Sequence, residues 1–158
     1  MTLLYAAVIG DIVGSRKLPN RSDVQKDFLS LIKEANHKFA SAIESPFTVT
    51  IGDEFQVLLH DIQSVPAVIE LITAGMEPIR LSFGIGIGTL STEINREFAI
   101  GMDGPVFHWA RKALERAKRK KPSVVYLSDF PGTEMMNALQ YFMETCQKGR
   151  SKRQKEIL

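Results

Sequence analysis

The apolar pattern of the chain changes repeatedly between strand-like and helix-like spacing, and the order of these changes restricts the fold more than any other feature. Short apolar runs typical of strands alternate with longer stretches in which apolar residues recur every three or four positions. The order is β-α-β-β-α-β-α-β-α, and its first six elements form the split βαβ arrangement. This order predicts an α+β, ferredoxin-like fold with an antiparallel sheet backed by helices. The strands are expected at residues 4–15, 47–51, 55–60, 79–90 and 123–129, and the helices at 21–43, 64–76, 104–121 and 132–158.

The second and third strands are flanked by turn signals. A capping box of Ser22 and Gln25 predicts the start of the first helix. The segment Glu44-Ser45-Pro46 is expected to break the chain before the second strand. Residues 52–54, Gly-Asp-Glu, separate two β-prone runs and suit a tight hairpin. Two acids are therefore expected at a hairpin tip.

Residues 79–90 contain a strand with two very different faces. Phe83, Ile85 and Ile87 alternate with glycines at 84, 86 and 88, so one face is apolar and the other is almost bare backbone. Such a face admits either a closely packed helix or a flat ligand. We favour the helix, which is the more ordinary reason for a glycine face. The next helical stretch follows at 104–121 with a proline in its first turn.

Length and composition indicate a compact protein. The chain has 158 residues, of which 44% are hydrophobic, enough for a sizeable core. The single cysteine, Cys146, excludes an internal disulfide, and no stretch approaches the roughly 20 apolar residues of a membrane span. The N-terminus lacks the basic residues of a signal peptide. These features predict a cytoplasmic protein with no membrane partner. Cys146, His37 and His60 are interpreted as structural, without functional partners.

The charges are unevenly distributed along the chain. Residues 111–121 contain seven Lys or Arg and one acid, and residues 148–158 contain five and one. The rest of the chain has eight bases and sixteen acids. Such asymmetry can steer anionic partners toward the two basic segments. The alternative, which stays open, is that each segment is an ordinary solvated helix face.

Three acids from distant parts of the sequence are expected to meet. In the split βαβ arrangement the first and third strands can lie side by side, so Asp11 at the end of the first strand approaches Asp53 and Glu54. Carboxylates repel one another unless a cation neutralises them, and Mg²⁺ and Mn²⁺ take oxygen ligands. Asp11, Asp53 and Glu54 therefore form a candidate metal site. The competing interpretation is that the aspartates are ordinary turn residues bonded to their own backbone.

A turn suited to phosphate lies beside this candidate metal site. It offers backbone amides and glycine, and a basic residue follows directly. The predicted phosphate-binding residues are Ile12, Val13, Gly14, Ser15 and Arg16.

One helix adds two polar side chains that suit an anion. His108 and Lys112 are spaced i, i+4 and can reach one anionic group together, although a solvated face explains them equally well. Other catalytic signatures do not occur: the chain has no Walker A sequence, no zinc-type Cys/His cluster and no G-x-S-x-G elbow.

Four stretches resemble the SatD family of short bacterial proteins: VIGDIVGSRKL, FTVTIGDEFQVLL, IRLSFGIGIGTLST and AIGMDGPVFHWARKAL. They occur in the same order, and the resemblance spans nearly the whole chain. AVIGDIVGS and VTIGDEFQVLL also resemble the two metal-aspartate strands of class III nucleotide cyclases, and GDEF resembles the signature hairpin of diguanylate cyclases. The resemblance implies a cyclase-like palm in which Asp11 and Asp53 bind Mg²⁺ or Mn²⁺, Ile12 lends its carbonyl, and residues 12–15 hold a triphosphate.

Several positions depart from the cyclase pattern. Where cyclases have an Asn and an Arg on the helix after the glycine-rich strand, this chain has His108 and Lys112, which we assign to those catalytic positions. The purine-reading position, normally Lys or Glu, is Val49, which offers no polar group to a base. The first glycine of the diguanylate cyclase signature is replaced by Ile51. We therefore expect a regulatory domain with a degenerate cyclase site that binds a divalent metal and a nucleotide or other phosphorylated small molecule.

Two other functions stay open. One is an active metal-dependent nucleotidyl cyclase or phosphoryl-transfer enzyme, in which Asp103 or main-chain atoms would read the base. The other is a palm scaffold without a small ligand, or a DNA-associated regulator. The sequence alone leaves the question of enzyme activity undecided.

The end of the chain is expected to form a separate unit, with the palm domain at 1–130 and a helix with a basic tail at 131–158. SatD-like proteins commonly continue into a helix-turn-helix-like segment, so the resemblance implies that this tail is the start of such a segment, cut short. The tail would then contact nucleic-acid phosphates. A plain surface terminus is the other interpretation, and a homodimer is a further hypothesis about partners.

Overall fold

The computed structural model describes residues 2–119 and 123–157, and for residues 149–157 it describes the backbone only. Five strands and four α-helices occur in the predicted order within these residues. The strands are β1 (Tyr5–Ile12), β2 (Ile43–Ile51), β3 (Glu54–Leu59), β4 (Leu81–Gly88) and β5 (Val124–Ser128), and the helices are α1 (Arg21–Lys38), α2 (Val65–Met76), α3 (Pro105–Arg119) and α4 (Thr133–Ile157).

All five strands form one sheet in the order β2-β3-β1-β4-β5. The first four are antiparallel neighbours, and β1 lies at the centre between β3 and β4, as the split βαβ arrangement requires. The fifth strand runs parallel to β4, so the sheet is mixed rather than purely antiparallel. The parallel pairing follows because α3 crosses over between β4 and β5. The predicted α+β fold is confirmed.

Helices cover both faces of the sheet, because side chains along each strand alternate between the faces. From β1, Ala6 and Val8 pack in a large core with residues of α1 and α2. Ala7 and Ile9 point the other way and pack against α3 in a second core. The central strand is therefore buried on both sides, while its last residues lie at one end of the sheet.

The helix α3 lies directly on the glycines of β4. A methyl group added at Gly84 or Gly86 would overlap backbone atoms of α3, those of Leu114 and Ala110 for Gly84 and the Val106 carbonyl for Gly86. The expectation that a helix rather than a ligand covers this face is confirmed. The close packing fixes how α3 crosses the sheet, and thereby which of its side chains reach the end of β1.

Two local predictions around α1 and β2 were wrong. The helix starts at Arg21 with Asn20 at its N-cap, so Ser22 lies inside the first turn and forms no capping box. It ends at Lys38 rather than at residue 43. Ile43 already begins β2, and the strand continues through Glu44-Ser45-Pro46. Because β2 is an edge strand with irregular register, it tolerates a proline that a central strand would not.

The long connection from β4 to α3 crosses the sheet face over β2 and β3. Gln56 of β3 donates to the Ala99 carbonyl, and the Ala99 amide donates to Thr48 Oγ1 at 2.9 Å. Arg96 adds an ion pair with Glu44 at 2.6 Å. This connection, residues 89–104, therefore closes the sheet face next to α3.

The helix α4 packs against β5 through polar contacts. Asn137 uses its side-chain amide to bond both the Tyr126 amide, at 2.7 Å, and the Tyr126 carbonyl, at 2.8 Å. Glu144 accepts a hydrogen bond from the Ser123 hydroxyl at 3.0 Å. Among the described residues, no helix has the length and apolarity to span a bilayer. The proposed division between residues 130 and 131 stays a prediction.

Candidate functional site

The end of β1 and the β2–β3 hairpin meet at one end of the sheet, where these strands begin or terminate, as expected from the sequence. Asp11 lies directly opposite Glu54 in the antiparallel register of β1 and β3. The amide of Ile12 donates to the carbonyl of Asp53 at 3.1 Å. Because directly opposed residues on neighbouring strands share a sheet face, Asp11 and Glu54 both face α3. Acids about forty positions apart in sequence are thus neighbours in the fold.

Glu54 is held by an arginine on α3. Arg111 donates two parallel hydrogen bonds to the carboxylate, at 2.8 and 2.9 Å, and Thr50 Oγ1 donates a third at 3.3 Å. The Glu54 side chain is only 12% exposed. The hydrogen-bonded carboxylate raises the pKa of Arg111, and burial opposes this effect. Both Glu54 oxygens are therefore occupied by a bidentate ion pair, which fixes the hairpin against the helix.

Asp11 also has a basic partner on α3, because Lys118 Nζ forms an ion pair with Asp11 Oδ2. The Asp11 side chain is 16% exposed, whereas that of Lys118 is 46% exposed. Arg111 and Lys118 are seven residues apart, which places them on the same side of a helix. Neither residue was among the predicted site residues. That spacing, within the basic run at 111–121, was the signal that could have suggested them.

The third acid, Asp53, occupies the hairpin turn after Gly52, whose positive φ of 50° suits the turn. Its side chain is half-buried and has no ion pair or hydrogen bond within the described part of the chain. Among the side chains that the structure describes, those of residues 2–119 and 123–148, no group of three or more His, Cys, Asp or Glu is arranged to hold a metal ion. Of the three predicted metal ligands, Glu54 is committed to Arg111, which leaves Asp11 and Asp53 for an ion, and the metal site stays a prediction.

Two carboxylates still fit the way Mg²⁺ is bound in many proteins. This ion keeps several waters and is commonly held by one or two carboxylates together with substrate phosphates. Asp11 and Asp53 supply that number of acids at one edge of the sheet. Asp11 is available only if Lys118 gives up its contact.

Four of the predicted phosphate-binding residues, Val13, Gly14, Ser15 and Arg16, form the surface turn after β1, whereas Ile12 is the buried last residue of β1 and its amide is bonded to Asp53. Gly14 has φ of 66° and begins a short 3-10 turn at residues 15–17. Inside this segment the Val13 amide bonds to the Arg80 carbonyl at 2.9 Å, and the Lys17 amide bonds to the Gly14 carbonyl at 2.9 Å. In the described structure, the amides of Gly14, Ser15 and Arg16 make no such backbone bond. These three donors lie next to the candidate metal site.

His108 and Lys112 line a shallow depression between α3 and the sheet. The depression has a volume of about 470 Å³. Each of the two residues has its own neighbour: His108 Nε2 lies 2.7 Å from Asp103 Oδ1, and Lys112 Nζ lies 5.3 Å from the centre of the Trp109 ring. Both side chains are largely exposed to solvent. The residues that line the depression are Ile9, Gln56, Met102, Phe107, His108, Arg111, Lys112 and Glu115.

The position expected to read a base faces elsewhere. Val49 lies opposite Phe55 in the β2–β3 register and packs with it against the core under α1 and α2. That core is on the other face of the sheet from the depression. Val49 therefore lacks both the polar group and the direction that base recognition would require. Asp103, the other candidate, is exposed and paired with His108.

Two residues interpreted as structural, His60 and Cys146, have surroundings that differ from the expectation. His60 has a partner, since its Nδ1 lies 3.5 Å from Glu44 Oε1. Cys146, which was interpreted as structural, is exposed on α4.

The mixed sheet with helices on both faces, and with acids at the end of β1 and at the next hairpin, defines a domain of the nucleotide cyclase fold. A bacterial light-regulated adenylyl cyclase superimposes with a TM-score of 0.56 at 17% identity, over 78% of this chain and 75% of that one. An adenylate cyclase of Trypanosoma brucei, determined in its monomeric state, superimposes with a TM-score of 0.60 at 13% identity, over 79% and 73%. At these identities the similarity concerns the fold alone.

The sequence profile of the SatD family matches residues 5–125, from β1 into β5. The chain therefore belongs to the SatD family. Comparison with curated protein sequences finds no match.

Proposed function

We propose that this SatD protein is a regulatory domain that binds a divalent cation together with a nucleotide or another phosphorylated small molecule, at a degenerate cyclase site. The observation that carries the proposal is the direct contact between the end of β1 and the hairpin, through the hydrogen bond from Ile12 to Asp53. This contact brings two acids and the turn at residues 13–16 together at one end of the sheet. The depression lined by His108, Arg111 and Lys112 lies on the α3 side of the same sheet.

The chain's own residues divide the binding task. Asp11 and Asp53 would hold Mg²⁺ or Mn²⁺, and a bound ion would neutralise phosphate charge beside them. The amides of residues 14–16 and the Arg16 side chain would bind phosphate oxygens, because anions favour clusters of backbone N–H groups. His108 and Lys112 would bind a second anionic part of the ligand in the depression. Glu54 and Arg111 would position the hairpin rather than touch the ion.

The direct test of this proposal is thermal unfolding with Mn²⁺. At ten times its dissociation constant, an ion that binds only the folded state adds about 1.4 kcal/mol, which raises the Tm by about 3 °C or more. We expect this shift in the wild type and its loss in Asp53→Asn. The control is Asp129→Asn, which removes the same charge at an exposed residue outside the site. Equal Tm shifts in all three proteins would show that Asp53 does not bind the ion.

An active cyclase is the second candidate function, and the fold similarity to adenylyl cyclases favours it. It would need another group to read the base, because Val49 faces the opposite core. Incubation with a panel of nucleoside triphosphates and Mn²⁺ separates the two functions. We expect little cyclic or linked product, and robust product from one triphosphate would establish the enzyme instead.

A scaffold without a small ligand is the third candidate, and the ion pairs of α3 favour it. Arg111 and Lys118 already neutralise two of the acids, so the repulsion between the carboxylates is relieved within the chain without a metal. Absence of any Tm shift with Mn²⁺, with or without a triphosphate, would support this function.

Contact with nucleic-acid phosphates was predicted for the basic tail, residues 148–158. The side chains of residues 149–158 lie outside the part of the chain that the structure describes. Nucleic-acid binding by the tail and formation of a homodimer stay hypotheses.

A further inference from the structure

The two ion pairs between α3 and the acids differ in a way that bears on ion binding. Arg111 grips Glu54 through two hydrogen bonds from a rigid guanidinium, and Glu54 is almost fully covered. Lys118 reaches Asp11 through a single ammonium, and nearly half of its side chain is exposed. A lysine ammonium is a compact, strongly hydrated charge on a flexible stem, so it can leave for solvent at small cost. We therefore expect the Arg111–Glu54 pair to persist and the Lys118 ammonium to exchange between Asp11 and solvent.

The place that Lys118 takes is the place where a metal ion would bind. Its ammonium lies on Oδ2 of Asp11, which is one of the two acids left for an ion after Glu54 is committed to Arg111. A divalent cation and an ammonium cannot share this oxygen without strong repulsion between like charges. Either the lysine moves away or the ion does not bind.

We propose that Lys118 is the resident counter-ion of Asp11, and that a divalent cation binds this domain by displacing it. Lys118 thus lowers the affinity of the site for the ion and acts as an affinity-determining residue. The inference rests on the proposed function, because it assigns a competitor to the same cation site. It also predicts a change in the wild type that ion binding at any other site would not produce, namely release of the Lys118 amine.

The test is the dissociation constant of Mn²⁺ alone, measured from the signal of free Mn²⁺ in electron paramagnetic resonance. We expect Lys118→Met to bind Mn²⁺ three- to tenfold more tightly than the wild type, and Lys118→Arg to bind it no more tightly. The matched control is Arg116→Met, which removes one positive charge from the same helix at an exposed residue outside the ion pairs described above. It is expected to change the affinity by less than twofold.

The outcomes separate the inference from the proposed function. Equal affinities of wild type and Lys118→Met, with Asp53→Asn weakened, would overturn the inference and leave the ion site standing. Tighter binding by Lys118→Met that Asp53→Asn does not affect would support the competition and remove Asp53 as a ligand. An absence of Mn²⁺ binding in every variant would overturn both.

A measurement on the wild type covers the case in which Lys118→Met does not fold. Acetylation by a soluble ester, followed by mass spectrometry, reports how free each amine is. With Mg²⁺ present we expect Lys118 to be acetylated at least twofold faster, whereas Lys33 on the exposed side of α1 should not change. An unchanged rate at Lys118 under Mg²⁺ concentrations that raise the Tm would contradict displacement.

Discussion

The inner and outer sides of α3 meet the sheet in opposite ways. On the inner side, backbone lies against backbone, since Gly84 and Gly86 leave no room for even a methyl group. On the outer side, Arg111 and Lys118 extend from the same helix to the acids at the end of β1 and at the hairpin. The inner contact fixes where the helix lies, and the outer contact uses that position to bring bases to acids.

The difference shows which part of the site can change its state. Closely packed backbone atoms cannot adapt without moving the whole helix, so the inner side is rigid. Long basic side chains at the surface can exchange partners with water or ions, so the outer side can respond to a ligand. Three substitutions on or against α3 test this division, in order of decreasing effect on stability.

The largest effect is expected where the helix touches β4. Gly86→Ala places a methyl group against the Val106 carbonyl and the Ala110 amide, so α3 must shift. We expect the free energy of unfolding to fall by about 3 kcal/mol, measured by urea denaturation. The control is Gly88→Ala, whose added carbon would lie 3.2 Å from the nearest atom and should cost less than about 1 kcal/mol. Equal losses in both variants would mean that α3 has room to move.

An intermediate effect is expected at the ion pair between Arg111 and Glu54. Arg111→Met leaves a mostly covered carboxylate without its main partner, and we expect a loss of about 1 kcal/mol, because half of the arginine side chain is exposed. A double-mutant cycle with Glu54→Gln should give a coupling energy of about 1 kcal/mol by urea denaturation. A coupling near zero would show that the bidentate contact does not hold the hairpin.

The smallest effect on stability is expected at Lys112. Its ammonium lies over the Trp109 ring at the surface, so Lys112→Met should change the free energy of unfolding by no more than about 0.5–1 kcal/mol. If the outer side of α3 binds phosphate, the same variant should lose much of the Tm increase that tripolyphosphate with Mn²⁺ gives the wild type. Lys33→Met, on α1, should keep that increase. Equal increases in both variants would make Lys112 an ordinary solvated residue.

Much of the fold could be predicted because it depends on local patterns. Val106, Ala110, Ala113, Leu114 and Ala117 recur at three- and four-residue spacing, which is typical of one side of a helix, and all five are buried in α3. The alternating glycines of β4 indicated a close neighbour, which is this helix. The meeting of Asp11 with the hairpin followed from element order, since a split βαβ fold has few ways to place its first and third strands.

Predictions went wrong where a tertiary contact overrode a local signal. Pro46 was expected to interrupt the chain, yet it lies within β2, because an edge strand can spare the hydrogen bond that proline cannot donate. Ile43 continues the helical spacing of α1 but begins β2, which pairs with Leu59 of β3. Sequence spacing alone does not show which neighbouring strand a residue will meet.

The sequence by itself determined the elements, their order and the gathering of acids at one end of the sheet, because apolar periodicity and turn residues act over short distances. Only the tertiary structure decided which bases meet those acids. In the sequence, nothing distinguishes Arg111 and Lys118 from the other basic residues of α3. They reach the acids because the close packing on the β4 glycines fixes the position of that helix. Long charged side chains carry no local signal of their partners, since the partner depends on how two distant elements pack.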